Sequence, residues 1–151
     1  MVGMGNTLMR DDGAGVHAIR HLQEQQADFP ETEFIDAGTL NFTLTGVIED
    51  ADNLIVVDAA QMHAPAGSVQ VFEGDDMDRF LNRSKRLSVH EVSLIDLLSI
   101  ARLTSTLPTR RALIGIQPER VELGEHPSDS VVHAIPRVTV AVLELIQRWN
   151  A

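Results

Sequence analysis

The chain has 151 residues, with 22 acidic side chains, 12 basic side chains and no cysteine. Its length and its 44% apolar content are typical of one globular domain, expected to span residues 1–151. The formal charge of −10 argues against nucleic acid as a partner, and the lack of cysteine excludes disulfides, thiolate metal sites and a cysteine nucleophile. No run approaches the ~18 apolar residues that cross a bilayer, and the N-terminus lacks the features of a signal peptide, so a soluble cytoplasmic protein is expected.

Short apolar runs alternate with helical periodicity in the first part of the chain. The first strand is unusually short, which leads us to expect that the chain begins a few residues late. The third strand has four consecutive aliphatic residues and therefore suits burial on both faces. In chain order the predicted elements are a strand at 1–4, a helix at 14–27, a strand at 32–36, a helix at 39–48 and a strand at 53–58.

The second part of the chain adds two strands and two helices. In chain order these are a strand at 68–72, a polar segment at 75–86 with at most a short helical turn, a helix at 93–103, a strand at 111–116 and a final helix. The first of these strands follows a short loop, so it is predicted to be an antiparallel edge strand. Pro136 either starts the final helix or kinks one that begins near Ser130. This order predicts a three-layer α/β/α sandwich with a mainly parallel, twisted sheet of about five strands.

Polar residues follow several predicted strands, at the edge where open α/β sheets bind ligands. Asp12 stands in the loop after the first strand, and Asp36 and Asp58 end the second and third strands. His90 lies in the loop before a predicted helix. A carboxylate at the end of an aliphatic strand is costly to bury unless it is paired, hydrogen-bonded or bound to metal. The convergence of these residues therefore predicts a functional site.

Each of these residues also has a structural interpretation. Asp12 could cap the first helix and Asp36 the second, since aspartate is a favoured N-cap residue. For Asp58 the functional interpretation is favoured over the structural one, because no helix that it could cap obviously starts after it. His90 by itself would more often be an ordinary loop histidine. The prediction of a site depends on the convergence and not on any one residue.

Several other chemistries are poorly supported. Gly3 and Gly5 lack the third glycine of a dinucleotide-binding motif, where Leu8 stands, and the acids nearby would repel a pyrophosphate. The sequence has neither a Walker-type G-K-S/T nor a G-x-S-x-G elbow, and Ser88 gives a Ser-His-Asp triad only weak support.

The candidate residues form a mixed oxygen and nitrogen set. Two carboxylates and one imidazole, without a thiolate, suit a borderline divalent cation with open coordination positions. His17 and His21 are four residues apart and are interpreted as a solvent-exposed helix face, with zinc binding as the lesser alternative.

Five sequence blocks, taken together, form a pattern that is specific to one known protein family. They are G-M-G-N-T-L-M-R-D-D-G-A-G-V at 3–16, D-A-G-T at 36–39, L-I-V-V-D-A at 54–59, H-E-V-S-L-I-D-L-L at 90–98 and I-G-I-Q-P-E at 114–119. With these blocks the chain resembles, over essentially its whole length, the hydrogenase maturation proteases, endopeptidases that trim the C-terminus of the nickel-iron hydrogenase large subunit. Two features depart from the family pattern: Asp12 stands where many members carry Glu, and Ala37 replaces the first glycine of D-G-G-T.

The resemblance implies a three-layer α/β fold and a protease that recognises nickel already inserted in the large-subunit precursor. The family's metal-contacting residues fall on Asp12, Asp58 and His90. The expected catalytic residues are Asp12, Asp36, Asp58 and His90, and the expected substrate-recognition residues are Asp36, Gly38 and Thr39.

The resemblance also sets the expected partners. The nickel arrives with the precursor, and no tightly bound metal is expected in the free protein, which has few ligands and no thiolate. A monomer with neither membrane nor nucleic acid as partner is the default. Two rival functions remain: a metal-independent peptidase in which Asp36 or Asp12 acts as acid or base, and a non-catalytic chaperone or scaffold for a maturation intermediate.

Overall fold

Five strands form one sheet in the computed structural model, which describes residues 1–38, 43–84 and 93–151. The strands are β1 (Val2–Met4), β2 (Ile35–Gly38), β3 (Asn53–Ala59), β4 (Val69–Glu73) and β5 (Arg110–Ile116). Their spatial order is β2-β1-β3-β5-β4, with β4 antiparallel to β5 and the other pairs parallel. The mainly parallel sheet and its antiparallel edge strand are therefore confirmed.

Helices cover both faces of the sheet. They are α1 (Ala14–Glu24), α2 (Leu44–Glu49), α3 (Asp75–Arg83), α4 (Leu94–Leu103) and α5 (Asp129–Asn150), with short 3-10 helices at Arg10–Gly13 and Gln26–Asp28. One apolar core lies between the sheet and α1 with α5, and a second lies between the sheet and α2, α3 and α4. These two cores establish the predicted three-layer sandwich. Among the described residues, no helix combines the length and apolarity that a membrane span needs.

The polar segment after β4 forms a longer helix than the sequence predicts. Met77 of α3 is fully buried, and Asp78 accepts hydrogen bonds of 2.7 and 3.1 Å from the guanidinium of Arg111 in β5. Burial would raise the pKa of Asp78, but hydrogen bonds and charges from Arg111 and Arg102 hold it below its ordinary value. The helix is therefore held by ion pairs between Asp78 and two arginines that are 24 and 33 residues away, which the local pattern does not reveal.

The final helix begins before its proline. Ser128 caps α5 by accepting a hydrogen bond from the Val131 N–H, and Pro136 lies within the helix. Of the two sequence interpretations, the earlier start is the correct one.

Close contact between α1 and the sheet requires glycine. A Cβ on Gly15 would lie 2.0 Å from the carbonyl oxygen of Val57 in β3 and 2.5 Å from that of Met4 in β1. Gly5 has a φ of 124°, and a Cβ there would lie 1.7 Å from the carbonyl oxygen of Asp12. Because any side chain would force the backbones apart, these glycines hold the start of α1 against the carboxyl ends of β1 and β3.

Substitution of Gly15 tests this contact. Gly15→Ala is expected to lower the free energy of unfolding by about 2 kcal/mol or more, because the new methyl group overlaps backbone oxygens that cannot move independently. Gly46→Ala in α2 is the matched control, since a Cβ there has no neighbour within 4 Å. The control is expected to be neutral or to stabilise by up to about 1 kcal/mol. Equal urea denaturation midpoints for the two variants would contradict the packing role.

Candidate active site

Asp58 occupies the carboxyl end of β3, where it pairs in register with Gly115 of β5. Its side chain is partly buried behind the aliphatic residues that precede it. Burial, and next the negative charge of Asp12, raise the pKa of Asp58 to about 8, although a hydrogen bond from the Ala59 backbone opposes the shift. The structure therefore brings Asp12 and Asp58 within electrostatic reach and keeps Asp58 mostly protonated at neutral pH.

Asp12 lies in the 3-10 helix that leads into α1. Its Oδ2 accepts a hydrogen bond of 3.0 Å from the backbone N–H of Asn6, and its own N–H donates to the carbonyl of Met9 at 3.1 Å. The N-cap of α1 is Gly13. The carboxylate thus stabilises the preceding loop, and the proposed capping role of Asp12 is wrong.

Asp36 and Asp58 lie on strands that are not adjacent, because β1 separates β2 from β3. Its Oδ2 accepts hydrogen bonds from Arg20 of α1 at 2.8 and 3.2 Å, and its Oδ1 accepts one from the Gly38 N–H at 3.1 Å. Thr43 is the N-cap of α2, so the capping interpretation is wrong for Asp36 as well. The structure places Asp36 in an ion pair with α1 rather than in the Asp12–Asp58 pair.

Gly38 links this segment to the loop around Asp12. Its carbonyl accepts a hydrogen bond of 2.8 Å from the Gly5 N–H, and its φ of 53° lies in the left-handed region that favours glycine. Thr39 and His90 lie outside the described residues. Within the described residues, no group of three or more histidine, aspartate and glutamate side chains could hold a metal ion, and the metal contacts assigned to Asp12, Asp58 and His90 all stay predictions.

His17 is less exposed than the sequence suggests. Its Nε2 is buried, and burial, followed by the charge of Arg20, lowers the pKa of the ring against the opposing effect of Asp36. The interpretation of His17 as part of a solvent-exposed helix face is therefore wrong.

Asp11 is a buried anchor that sequence reasoning did not separate from Asp12. It accepts hydrogen bonds from the backbone N–H groups of Glu119 and Arg120, both at 2.8 Å, and from the N–H and hydroxyl of Ser128 at 2.6 and 2.8 Å. Burial would raise its pKa, but these hydrogen bonds hold it below the ordinary value. The bonds fasten the loop after β5 to the loop after β1. No local signal could reveal this role, because its partners are 108 to 117 residues away.

Gln117 fixes the loop that follows Asp58. This buried side chain donates from Nε2 to the Oε1 of Gln61 at 2.9 Å and accepts from the Met62 N–H at 2.8 Å. The chain beyond β3 is thereby tied to the end of β5, which limits the freedom of the backbone next to Asp58.

Asp58→Asn tests the raised pKa. Between about pH 4 and pH 8 the folded protein binds a proton on Asp58 that the unfolded chain has lost, so stability falls as the pH rises through this range. The variant keeps the shape of the protonated acid and does not ionise. It is expected to match the wild type near pH 4 and to be about 5 kcal/mol more stable at pH 8.5, measured by urea denaturation.

Glu144→Gln, at an exposed position on α5, serves as the control and is expected to differ from the wild type equally at both pH values. A stability difference for Asp58→Asn that does not grow with pH would contradict the electrostatic description of the pair.

This chain is similar to known proteins in sequence and in fold. A sequence model of the family described as "Hydrogenase maturation protease" matches residues 16–145. The hydrogenase expression/formation protein HoxM of Cupriavidus necator is 30% identical over 99% of this chain and 74% of its own length. HoxM of Azotobacter vinelandii is 34% identical over 81% of this chain, and the match spans 58% of that relative.

A solved structure of a hydrogenase maturation protease also matches the fold of this chain. The NiFe hydrogenase maturation protease HybD from Thermococcus kodakarensis has a TM-score of 0.77 and 28% identity, covering 95% of each chain. Because the family model spans most of the sequence and the fold agrees, this chain belongs to the hydrogenase maturation protease family, a family of peptidases.

Proposed function

We propose that this protein is an endopeptidase that removes the C-terminal extension of a nickel-iron hydrogenase large-subunit precursor after nickel insertion. Family membership supports a peptidase that acts in hydrogenase maturation. The observation that carries the proposal is the pairing of Asp12 with Asp58 at the carboxyl ends of the strands, where α/β folds bind their ligands.

The proposed site recognises the substrate's nickel through Asp12, Asp58 and His90. Burial, and next the negative charge of Asp12, raise the pKa of Asp58, so Asp58 retains a proton in the free protein. A divalent cation supplies the positive charge that allows both to ionise, so nickel binding releases this proton. A free metal ion would have to displace this proton and would bind without thiolate ligands, so its affinity for the site is expected to be weak. This expectation agrees with nickel arriving in the precursor.

Hydrolysis of the scissile bond then needs a polarised carbonyl and an attacking water. Nickel held beside the bond would polarise the carbonyl, and the metal or a carboxylate of the site would activate the water. Asp36, Gly38 and Thr39 are proposed to recognise the substrate chain. The ion pair with Arg20 orients Asp36.

A processing assay tests this function. The protein is incubated with nickel-loaded and nickel-free large-subunit precursor, and the masses of the products are measured. The wild type is expected to shorten only the nickel-loaded precursor. Asp12→Asn and Asp58→Asn are expected to reduce the rate by about 100-fold or more, because each removes a charged oxygen from the metal contact. Glu144→Gln, which removes an exposed charge on α5, is expected to process normally.

The possible outcomes separate the rival functions. Equal cleavage of the nickel-free precursor would identify a metal-independent peptidase. Normal processing by Asp58→Asn would show that Asp58 is not part of the active site. Complex formation without any change in precursor mass would indicate a scaffold.

A further inference from the structure

Three large apolar side chains are exposed on two neighbouring loops. Leu8 is 56% exposed, Val121 is 54% exposed and Leu123 is 81% exposed. We refer to these three residues as the loop patch. Single exposed apolar residues are common in soluble proteins, but a group that shares one rigid surface is typical of an interaction site.

Hydrogen bonds fasten the two loops to each other. The Asp11 N–H donates to the carbonyl of Arg120 at 3.1 Å, and the Gly124 N–H donates to the carbonyl of Leu8 at 2.9 Å. The Arg10 N–H also donates to the carbonyl of Gly124 at 2.9 Å. Both ends of the segment that carries Val121 and Leu123 are therefore bonded to residues 8–11, which keeps the loop patch together.

Buried anchoring further restricts the patch. The Asp11 carboxylate binds the backbone immediately before Val121 through the N–H groups of Glu119 and Arg120. Apolar side chains on a fixed backbone lose less conformational entropy on binding than the same side chains on a mobile loop. The loop patch is thus organised before a partner arrives.

The loop patch adjoins the proposed active site through one residue. The Leu8 N–H donates to the Oδ1 of Asn6 at 3.0 Å, while the backbone N–H of Asn6 donates to the Oδ2 of Asp12 at 3.0 Å. A chain that contacts Leu8 therefore lies next to the loop that binds Asp12.

Acidic side chains border the apolar surface. Glu119, Glu122 and Glu125 flank the two apolar residues of the β5–α5 loop together with Arg120, whose Nε lies 4.0 Å from the Oε1 of Glu119, and the whole chain carries a formal charge of −10. Arg10 forms an ion pair with Glu122 of this loop, with 3.3 Å between Nε and Oε1. This charge pattern complements a partner segment that has apolar side chains flanked by basic ones.

We propose that the loop patch is the docking surface for the hydrogenase large-subunit precursor and binds an apolar segment of it flanked by Lys or Arg. The inference rests on the proposed function, because it identifies the precursor as the occupant. It assigns substrate affinity to residues outside the carboxylate pair, so that loss of the patch weakens binding and leaves the chemical step intact.

Steady-state processing of nickel-loaded precursor tests the proposal. The double variant Leu8→Ser/Leu123→Ser is expected to raise KM about tenfold or more while kcat stays within about twofold of the wild-type value. Glu125→Lys is expected to raise KM about threefold or more, since it reverses a charge at the border of the patch. Leu103→Ser is the matched control, because Leu103 is 86% exposed on α4 and lies outside the loop patch. Its KM is expected to equal that of the wild type.

The outcomes distinguish this inference from the proposed function. If the wild type does not process the precursor, the proposed function fails. If the wild type processes it and the double variant keeps the wild-type KM, the docking surface is wrong and the function stands. A wild-type dimer in sedimentation that the double variant converts to monomer would assign the patch to a second copy of this chain and overturn the proposal.

Discussion

The contact between Gly15 and the Val57 carbonyl is the constraint on which the site depends. It allows α1 to approach β3 more closely than any residue with a Cβ would permit. Asp12, in the 3-10 helix before α1, is therefore within electrostatic reach of Asp58, near the carboxyl end of β3. Without this approach the two carboxylates would be separate surface groups, and Asp58 would lose the second cause of its raised pKa.

The acids of this protein are distinguished by their partners. Asp11 is satisfied by backbone N–H groups and a hydroxyl, and Asp78 is neutralised by two arginines, so the pKa of each lies below its ordinary value. Asp36 is paired with Arg20. Asp58 instead is subject to burial and to the negative charge of Asp12, and its pKa rises to about 8. This contrast separates acids that stabilise the fold from an acid poised to bind a cation.

The sequence predicted much of the fold because its signals are local. Aliphatic runs predicted the strands, and the position of acids after those strands predicted that Asp12, Asp36, Asp58 and His90 would converge. Of these, Asp12 and Asp58 are electrostatically coupled, Asp36 is paired with Arg20, and His90 lies outside the described residues. The anchoring role of Asp11 and the packing of α3 were not predictable, since each depends on partners distant in sequence. The partial burial of His17 escaped prediction for a related reason: spacing along a helix does not show what packs against it in the fold.

The central claim is that Asp12 and Asp58 form an electrostatically coupled pair in the free protein. The most direct measurement is an NMR titration of the Asp58 side-chain carboxyl carbon in the wild type and in Asp12→Asn. A pKa near 8 in the wild type, falling when the Asp12 charge is removed, is the predicted result. An ordinary aspartate pKa of about 4, unchanged by the substitution, would contradict the coupling and the cation site built on it.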